Sequence, residues 1–315
     1  MQNEDTRAQR PILVTGMHRS GTTWLGEMLC AGSGLVRIQE PLNVRNRQTI
    51  LRSRVSRWYT YITEANEAAY LRFYRDAVAF RPHPLHDIRR MRLGSPRDPF
   101  RVGERWGSLI LGRFQNRRLL LKDPFAVFSL DWFVRRLHCQ VAVTVRHPAA
   151  VVSSLKRLGY TFDFSHLLEQ PLLMERELGR YRSEMEAALS FPEDVVGQGA
   201  LLWKMIYQGV ADLRVSTNDV QVVRHEDISR APLAGYERLY AWLDLPFTER
   251  AKRKIERYTS EENRKEVSTS NPGATKLDSR ANLENWRRRL TAQEIHRVRE
   301  LSASVWPIYY GDDDW

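Results

Sequence analysis

Gly16, Met17, His18, Arg19, Ser20 and Gly21 lie between an apolar run, Pro11 to Thr15, and a helical run that begins near Thr22. A glycine-bracketed turn of this kind folds backbone N–H groups around an anion, and the positive end of the following helix dipole faces the same point. The spacing from Gly16 to Gly21 matches the nucleotide loop GxxxxGK[ST], but Thr22 stands where that motif has lysine. The cation comes earlier, at Arg19, and the turn is closed by Thr22, Thr23 and Trp24. The chemistry these residues offer is the holding of a phosphate or sulfate.

Three further groups sit where other apolar runs end. Glu40-Pro41 supplies a carboxylate that either takes a proton from a weak hydroxyl nucleophile or caps the next turn. In Lys122-Asp123-Pro124-Phe125 the lysine either brings charge to a bound anion or ends its strand in solvent, as most lysines do. Asp123 is the residue expected to hold that turn. Arg146 offers a planar fork of donors, and Ser154, about two turns into a helix that starts after Pro148, can direct its hydroxyl to the same anion. Trp24 is either a stacking surface or a core side chain. His83 and His86 flank a proline-rich loop without a cysteine pair, so no metal site is expected.

The elements that must position these groups are short. Pro11 to Thr15, Leu35 to Gln39, Arg118 to Lys122, Gln140 to Val145 and Val220 to Arg224 read as strands, mostly apolar at successive positions and separated by helical stretches. That pattern predicts an α/β fold with a central, mostly parallel five-stranded sheet covered by helices on both faces. Ligands of such sheets gather at the carboxyl ends of the strands, which selects Gly16 to Thr23, Glu40, Lys122 and Arg146 as one rim. The first helix is expected from Thr22 to Cys30, stopped by Ala31-Gly32-Ser33-Gly34. Residues 45–117 read as a helical insertion rich in arginine and aromatics, with Pro82, Pro84, Pro96 and Pro99 breaking helix after about Phe80. A second irregular stretch, about 262–282 and including Asn271-Pro272-Gly273, reads as a lid before a helix near Leu283.

With 315 residues, 42% of them hydrophobic, the chain fits one large domain over 1–315. A net charge of +11 predicts anionic partners without choosing among them. Cys30 and Cys139 are the only cysteines and both lie in apolar settings, which predicts buried thiols in a reducing compartment. The polar stretch Met1 to Arg7, and the lack of a run of about 18 apolar residues, predict a cytoplasmic protein with no transmembrane segment.

The loop from Gly16 to Trp24, together with Arg146 and Ser154 at their spacing of eight, resembles the sulfotransferase family that uses 3′-phosphoadenosine 5′-phosphosulfate (PAPS) and releases 3′,5′-bisphosphoadenosine (PAP). The Glu40 and Lys122-Asp123-Pro124-Phe125 segments are similar to its carbohydrate and tyrosylprotein branch, and the chain looks like a soluble bacterial-type member. The resemblance implies that Gly16, His18, Arg19, Ser20, Gly21, Thr22 and Thr23 hold the 5′-phosphosulfate, and that Trp24 stacks on adenine. It also implies that Arg146 and Ser154 hold the 3′-phosphate, Glu40 is the base, and Arg19 and Lys122 stabilise charge in transit. Val222 to Phe247 is similar to a scaffold segment of the family, and Leu283-Glu284-Asn285-Trp286 to its closing helix. The loop before that helix implies Lys276, Arg280 and Ser268 as further donors. Two separated anion sites suit a bisphosphorylated adenosine better than ATP. The expected partner is a hydroxyl acceptor, carbohydrate, tyrosyl, phenol or alcohol, itself anionic or aromatic, with no metal and no nucleic acid.

Two other classes stay open on the residues alone. A nucleotide phosphotransferase would need Mg²⁺ and normally the lysine that Thr22 replaces. A nucleic-acid-binding protein would account for the net charge and the arginine-aromatic insertion.

Overall fold

The computed structural model describes residues 10–32, 34–46, 51, 55–83, 98–214, 217–266, 268 and 273–315. Of the sequence features above, Met1 to Arg7, Ser33, Pro84, His86, Pro96 and Asn271-Pro272 lie outside the described residues. Five strands, β1 (Ile12–Gly16), β2 (Leu35–Gln39), β3 (Arg118–Lys122), β4 (Gln140–Val145) and β5 (Val220–Arg224), pair in the order β2-β3-β1-β4-β5. Every pairing is parallel, with Ile12 opposite both Leu120 and Gln140.

The helices named below are α1 (Thr22–Leu29), α2 (Leu71–Val78), α3 (Asp98–Phe114), α4 (Leu130–Leu137), α5 (Pro148–Leu158), α6 (Arg182–Leu189), α7 (Val195–Arg214), α8 (His225–Arg230), α9 (Pro232–Trp242), α10 (Glu249–Thr259), α11 (Asn285–Arg289) and α12 (Ala292–Leu301). The strand period of two sends Leu13, Leu121, Val141 and Val143 to one face, against α4 and α7, and Ile12, Val14, Leu120 and Ala142 to the other, against α1, α9 and α10. At roughly 1.5–3 kcal/mol per fully buried aliphatic side chain, these two layers fix the sheet. β1, β3 and β4 are buried at every position. The edge strands are less completely covered. In β2 only Val36 and Ile38 are buried, while Arg37 and Gln39 face solvent, because an edge strand lies where the helical layers run out.

Strand order fixes where a ligand can sit. From β1 the chain crosses through α1 to β2 on one side, whereas β4 connects onward to β5 on the other. The crossovers diverge between the neighbours β1 and β4, so a crevice opens at their carboxyl ends, between Gly16 and Arg146.

Three sequence expectations need correction. Pro99 does not break a helix but sits in the first turn of α3, where its missing N–H costs no intrahelical bond. The helix expected near Leu283 begins at Asn285, after a turn in which Leu283 N–H bonds to Arg280 O. Cys139 is buried as expected, but Cys30 at the end of α1 is only half-buried. No described helix is long and apolar enough to cross a membrane.

Gly16 is the tightest backbone position of the rim. Its φ is +139°, and a Cβ there would collide with the carbonyl oxygen of Thr144 and lie 2.7 Å from its hydroxyl. Gly16→Ala is therefore expected to cost more than about 2 kcal/mol of stability, because both the conformation and the neighbouring backbone must shift. Urea denaturation of the two proteins at one pH measures this directly.

Candidate functional site

The loop from Gly16 to Gly21 is held from beneath by hydroxyl groups. Met17 N–H donates to Tyr207 Oη at 3.2 Å, and that hydroxyl donates onward to Thr144 O at 2.8 Å. Ser20 Oγ meets Thr144 Oγ1 at 2.6 Å, and Ser20 N–H closes a turn on Met17 O. Gly21, in the left-handed region at φ +103°, leads into α1, whose first intrahelical bond runs from Leu25 N–H to Gly21 O. No side chain caps this helix, so the N–H groups of its first turn point past the loop without an intrahelical acceptor. Left-handed backbone also occurs at Arg19, φ +72°, and Glu40, φ +49°, where L side chains are strained. Such strain, of order 1 kcal/mol or more at each, collects at functional sites.

A cleft of about 660 Å³ opens above that helix end. It is lined by Arg19, Gly21, Thr22, Thr23 and Trp24 from the first loop, Arg146 from the end of β4, His225 and Ser229 from α8, and Thr275, Leu277, Ser279 and Asn282 from the carboxyl-terminal loop. The dominant charge is positive. Burial, reinforced by Arg146, lowers Arg19 to about 10, and burial likewise lowers Arg146. Arg146 reaches Asn282 O at 3.4 Å, but its Nε is buried without a hydrogen-bond partner. Behind it, buried Glu226 accepts from His147 N–H at 2.9 Å and Tyr310 Oη at 3.0 Å. The long helix α7 locks the arginine's backbone, because Trp203 Nε1–H donates to Arg146 O at 2.9 Å. Desolvated guanidinium groups with an orphaned donor, beside an uncapped helix end, form a site for an anion.

Other predicted residues fall elsewhere. Ser154 is not on the cleft wall with Arg146. It accepts from Arg19 Nε at 3.1 Å, so the two anion positions read as separate from the sequence adjoin at the loop arginine. Ser20 spends its side chain on Thr144, and Gly16 is pressed on the same strand, so both shape the loop from within. His18 turns to Tyr59, with Nδ1 2.6 Å from the hydroxyl. Lys276 is exposed and does not line the cleft, nor does half-buried Ser268. Arg280 points away, bonding Arg230 O at 3.2 Å and pairing with Glu261 at 3.6 Å. The loop approaches the cleft through shorter side chains instead. Thr275 donates to Glu27 of α1 at 2.6 Å, and Ser279 to Ser229 O at 2.9 Å. Arg157, one turn beyond Ser154 on α5, acts on both Arg19 and Arg146 and has a buried, unpartnered Nε. A helix-face reading from Ser154 would have found it, since i and i+3 share a face.

Glu40 and Lys122 meet at the β2/β3 side of the rim. Lys122, 2% exposed, forms a salt bridge with Glu40 Oε1, which excludes a lysine ending its strand in solvent. Asn43 Nδ2 donates to Glu40 Oε2 at 2.5 Å, and Glu40 N–H bonds Lys122 O at 2.7 Å. Asp123 holds the turn, accepting from Leu42 N–H at 2.6 Å and Phe125 N–H at 3.0 Å, while burial raises it to about 7. Trp24 lies on the cleft wall, edge-on to His225 at 5.3 Å and Tyr236 at 5.6 Å. His225 also abuts Gly21, where a Cβ would lie 2.7 Å from its Nδ1, and burial holds its imidazole well below the usual range. Among the described residues no group of three or more His, Cys, Asp or Glu is placed to hold a metal ion.

The model of the sulfotransferase family, Sulfotransfer_3, matches residues 11–249. No curated protein sequence matches the chain significantly. Among solved structures the chain is similar to the sulfotransferase domain of the Synechococcus PCC 7002 olefin synthase, at 17% identity and a TM-score of 0.48 over 93% of this chain and 94% of that one. It is also similar to mouse sulfotransferase SULT7A1, solved in complex with PAP, at 12% identity and a TM-score of 0.48 over 97% and 86% of the two chains. A third is sulfotransferase STF9 from Mycobacterium avium, at 14% and 0.45 over 98% and 80%.

The site is sensitive to acid through His18. Burial, then Arg19, lowers its imidazole from 6.5 to about 4, so between those values the unfolded chain binds a proton that the folded one refuses. Stability must therefore fall as pH drops through 6.5 toward 4, and be unaffected by this group above that window. In chemical denaturation at pH 7.5 and pH 5, His18→Gln is expected to lose less stability between the two pH values than the parent protein.

Proposed function

The chain belongs to the sulfotransferase family, and from that premise we propose that it transfers a sulfuryl group from PAPS to a hydroxyl acceptor. One observation carries the choice of donor: Arg19 and Arg146 line the same cleft as the uncapped end of α1, and the buried Nε of Arg146 lacks a partner. A bisphosphorylated nucleotide satisfies both. Its 5′-phosphosulfate fits the amides of Gly21 to Trp24 and Arg19, its 3′-phosphate fits Arg146, with Ser154 and Arg157 alongside, and its adenine fits the wall made by Trp24, His225 and Leu277. PAPS, as donor substrate, supplies a sulfur–oxygen bond with a phosphate leaving group. An acceptor oxygen forms its bond to sulfur as that bond breaks. The electron pair leaves on the phosphate, and the acceptor's proton passes to the Glu40 carboxylate.

The two sides of the rim divide this work. The β1/β4 side holds charge, and Arg19 with the helix amides stabilises the leaving phosphate. The β2/β3 side holds the base, with Lys122 and Asn43 fixing the two oxygens of Glu40. Beside it Trp58 packs on Phe125 at 4.5 Å, and the Arg45 guanidinium lies 5.9 Å from the Trp58 ring centre. These surfaces favour an aromatic or anionic hydroxyl compound, a phenol, tyrosyl or sugar acceptor.

Thermal stabilisation by PAP, set beside AMP and Mg²⁺-ATP at matched concentrations, tests the donor class. A ligand at 100 times its Kd adds about 2.7 kcal/mol, so PAP alone is expected to raise Tm clearly. A shift only with Mg²⁺-ATP would instead favour the phosphotransferase reading. Arg146→Ala is expected to weaken PAP binding about 10- to 100-fold by calorimetry, the worth of a charge-assisted hydrogen-bonded contact. Glu40→Gln is expected to lower turnover about 10²- to 10⁴-fold while leaving the PAP Kd within about threefold.

A further inference from the structure

Arg146 lines the nucleotide cleft, yet little holds its side chain there. Its guanidinium reaches Asn282 O at 3.4 Å, a long bond, and its Nε is buried without a partner, so the backbone decides where the fork of donors points. That backbone lies just past the sheet. The β4/β5 register ends with Val145 opposite Arg224, which leaves the peptide unit between Arg146 and His147 as the first beyond the ladder. A buried peptide group outside a ladder must find its partners elsewhere.

Two side chains take the two edges of this peptide. Trp203 Nε1–H of α7 donates to Arg146 O at 2.9 Å, and His147 N–H donates to Glu226 Oε1 of α8 at 2.9 Å. The other oxygen of the same carboxylate, Oε2, accepts from Tyr310 Oη at 3.0 Å. Glu226 is 6% exposed and Tyr310 4%, so bulk water is not at hand to replace either bond. Tyr310 is itself fixed, with its ring edge-on to the His147 ring at 5.0 Å and the Arg224 guanidinium 4.6 Å from its centre. Both carboxylate oxygens are thus engaged by donors other than Arg146, whose charge Glu226 supports through space.

We infer that Glu226, braced by Tyr310, is the positioning residue of Arg146: it fixes the peptide plane between Arg146 and His147, and through it the direction in which the guanidinium meets the 3′-phosphate of the bound nucleotide. Glu226 and Tyr310 do not line the cleft, so their route to the ligand runs through Arg146. The inference rests on the PAPS reading for its ligand. Geometry and charge are separable here. Glu226→Gln keeps an acceptor for His147 N–H and an amide for the Tyr310 hydroxyl, whereas Glu226→Ala keeps neither.

PAP and AMP differ by the 3′-phosphate alone, so the ratio of their dissociation constants, measured by calorimetry, reads the Arg146 contact. Glu226→Ala is expected to weaken PAP about tenfold while changing AMP less than about twofold, and Glu226→Gln to hold PAP within about twofold of the parent. Tyr310→Phe removes only the brace. It is expected to weaken PAP about fivefold with AMP again within about twofold, and it decides the matter if Glu226→Ala does not fold. In an Arg146→Ala background, Glu226→Ala is expected to change PAP binding by less than about twofold, because the two residues act as one unit. Equal losses for PAP and AMP, no loss of either, or a loss in Glu226→Gln as large as in Glu226→Ala overturns the inference and leaves the donor reading standing. A parent protein that binds PAP no more tightly than AMP overturns the donor reading, and the role of Glu226 with it.

Discussion

Two guanidinium groups, Arg19 and Arg146, are held in a desolvated cleft at the ends of adjacent strands, close enough to oppose each other's charge. Burying charge is costly unless it is paired and hydrogen-bonded, and the nearby carboxylate, Glu226, is itself buried behind Arg146 and engaged by His147 and Tyr310. The arrangement is tolerable because the surrounding framework is rigid: β4 is buried throughout, and α7 clamps the Arg146 carbonyl through Trp203. An anion placed in the cleft would relieve this electrostatic cost.

The loop between these strands depends on a second constraint, the satisfaction of its backbone. Tyr207 takes the N–H of Met17, Tyr59 approaches that of His18, and Ser20 is tied to Thr144. With its first half occupied from below, the loop presents the remaining N–H groups at the start of α1 to the cleft. Both tyrosines come from far along the chain, one from the insertion and one from α7. The loop's shape is thus a property of the packed core, although its sequence is local.

Charge is partitioned along the rim. The β1/β4 side is cationic and opens on the cleft, whereas at the β2/β3 side buried Lys122 is matched by Glu40. Removing one partner of a buried pair leaves an uncompensated charge, so Glu40 and Lys122 support each other's position as well as any chemistry they perform. Left-handed backbone at Arg19, Glu40 and Tyr59 places local strain on both sides of this divide. The short, buried central strands β1, β3 and β4 and their helical cover stabilise these conformations from outside the rim.

The strands were legible in the sequence because parallel strands buried on both faces read as continuous apolar runs. Four of the five carry the expected ends, and β1 is displaced by one residue, running Ile12–Gly16 instead of Pro11 to Thr15. The anion loop was legible for a similar reason: two glycines, a cation and a helix start lie within a few residues, where local sterics decide conformation. Beyond that reach the sequence lost resolution. Lys122 as a buried ion-pair partner, Ser154 on Arg19, Arg280 turned to Arg230, and the Tyr59 hydroxyl on His18 are contacts between residues 41 to 135 positions apart. No local pattern encodes them. The sequence by itself determined which backbone could cradle an anion and where the strand ends would gather. Only the tertiary structure decided which side chains reach that point and in which protonation state, because burial and pairing depend on what the rest of the chain packs against them.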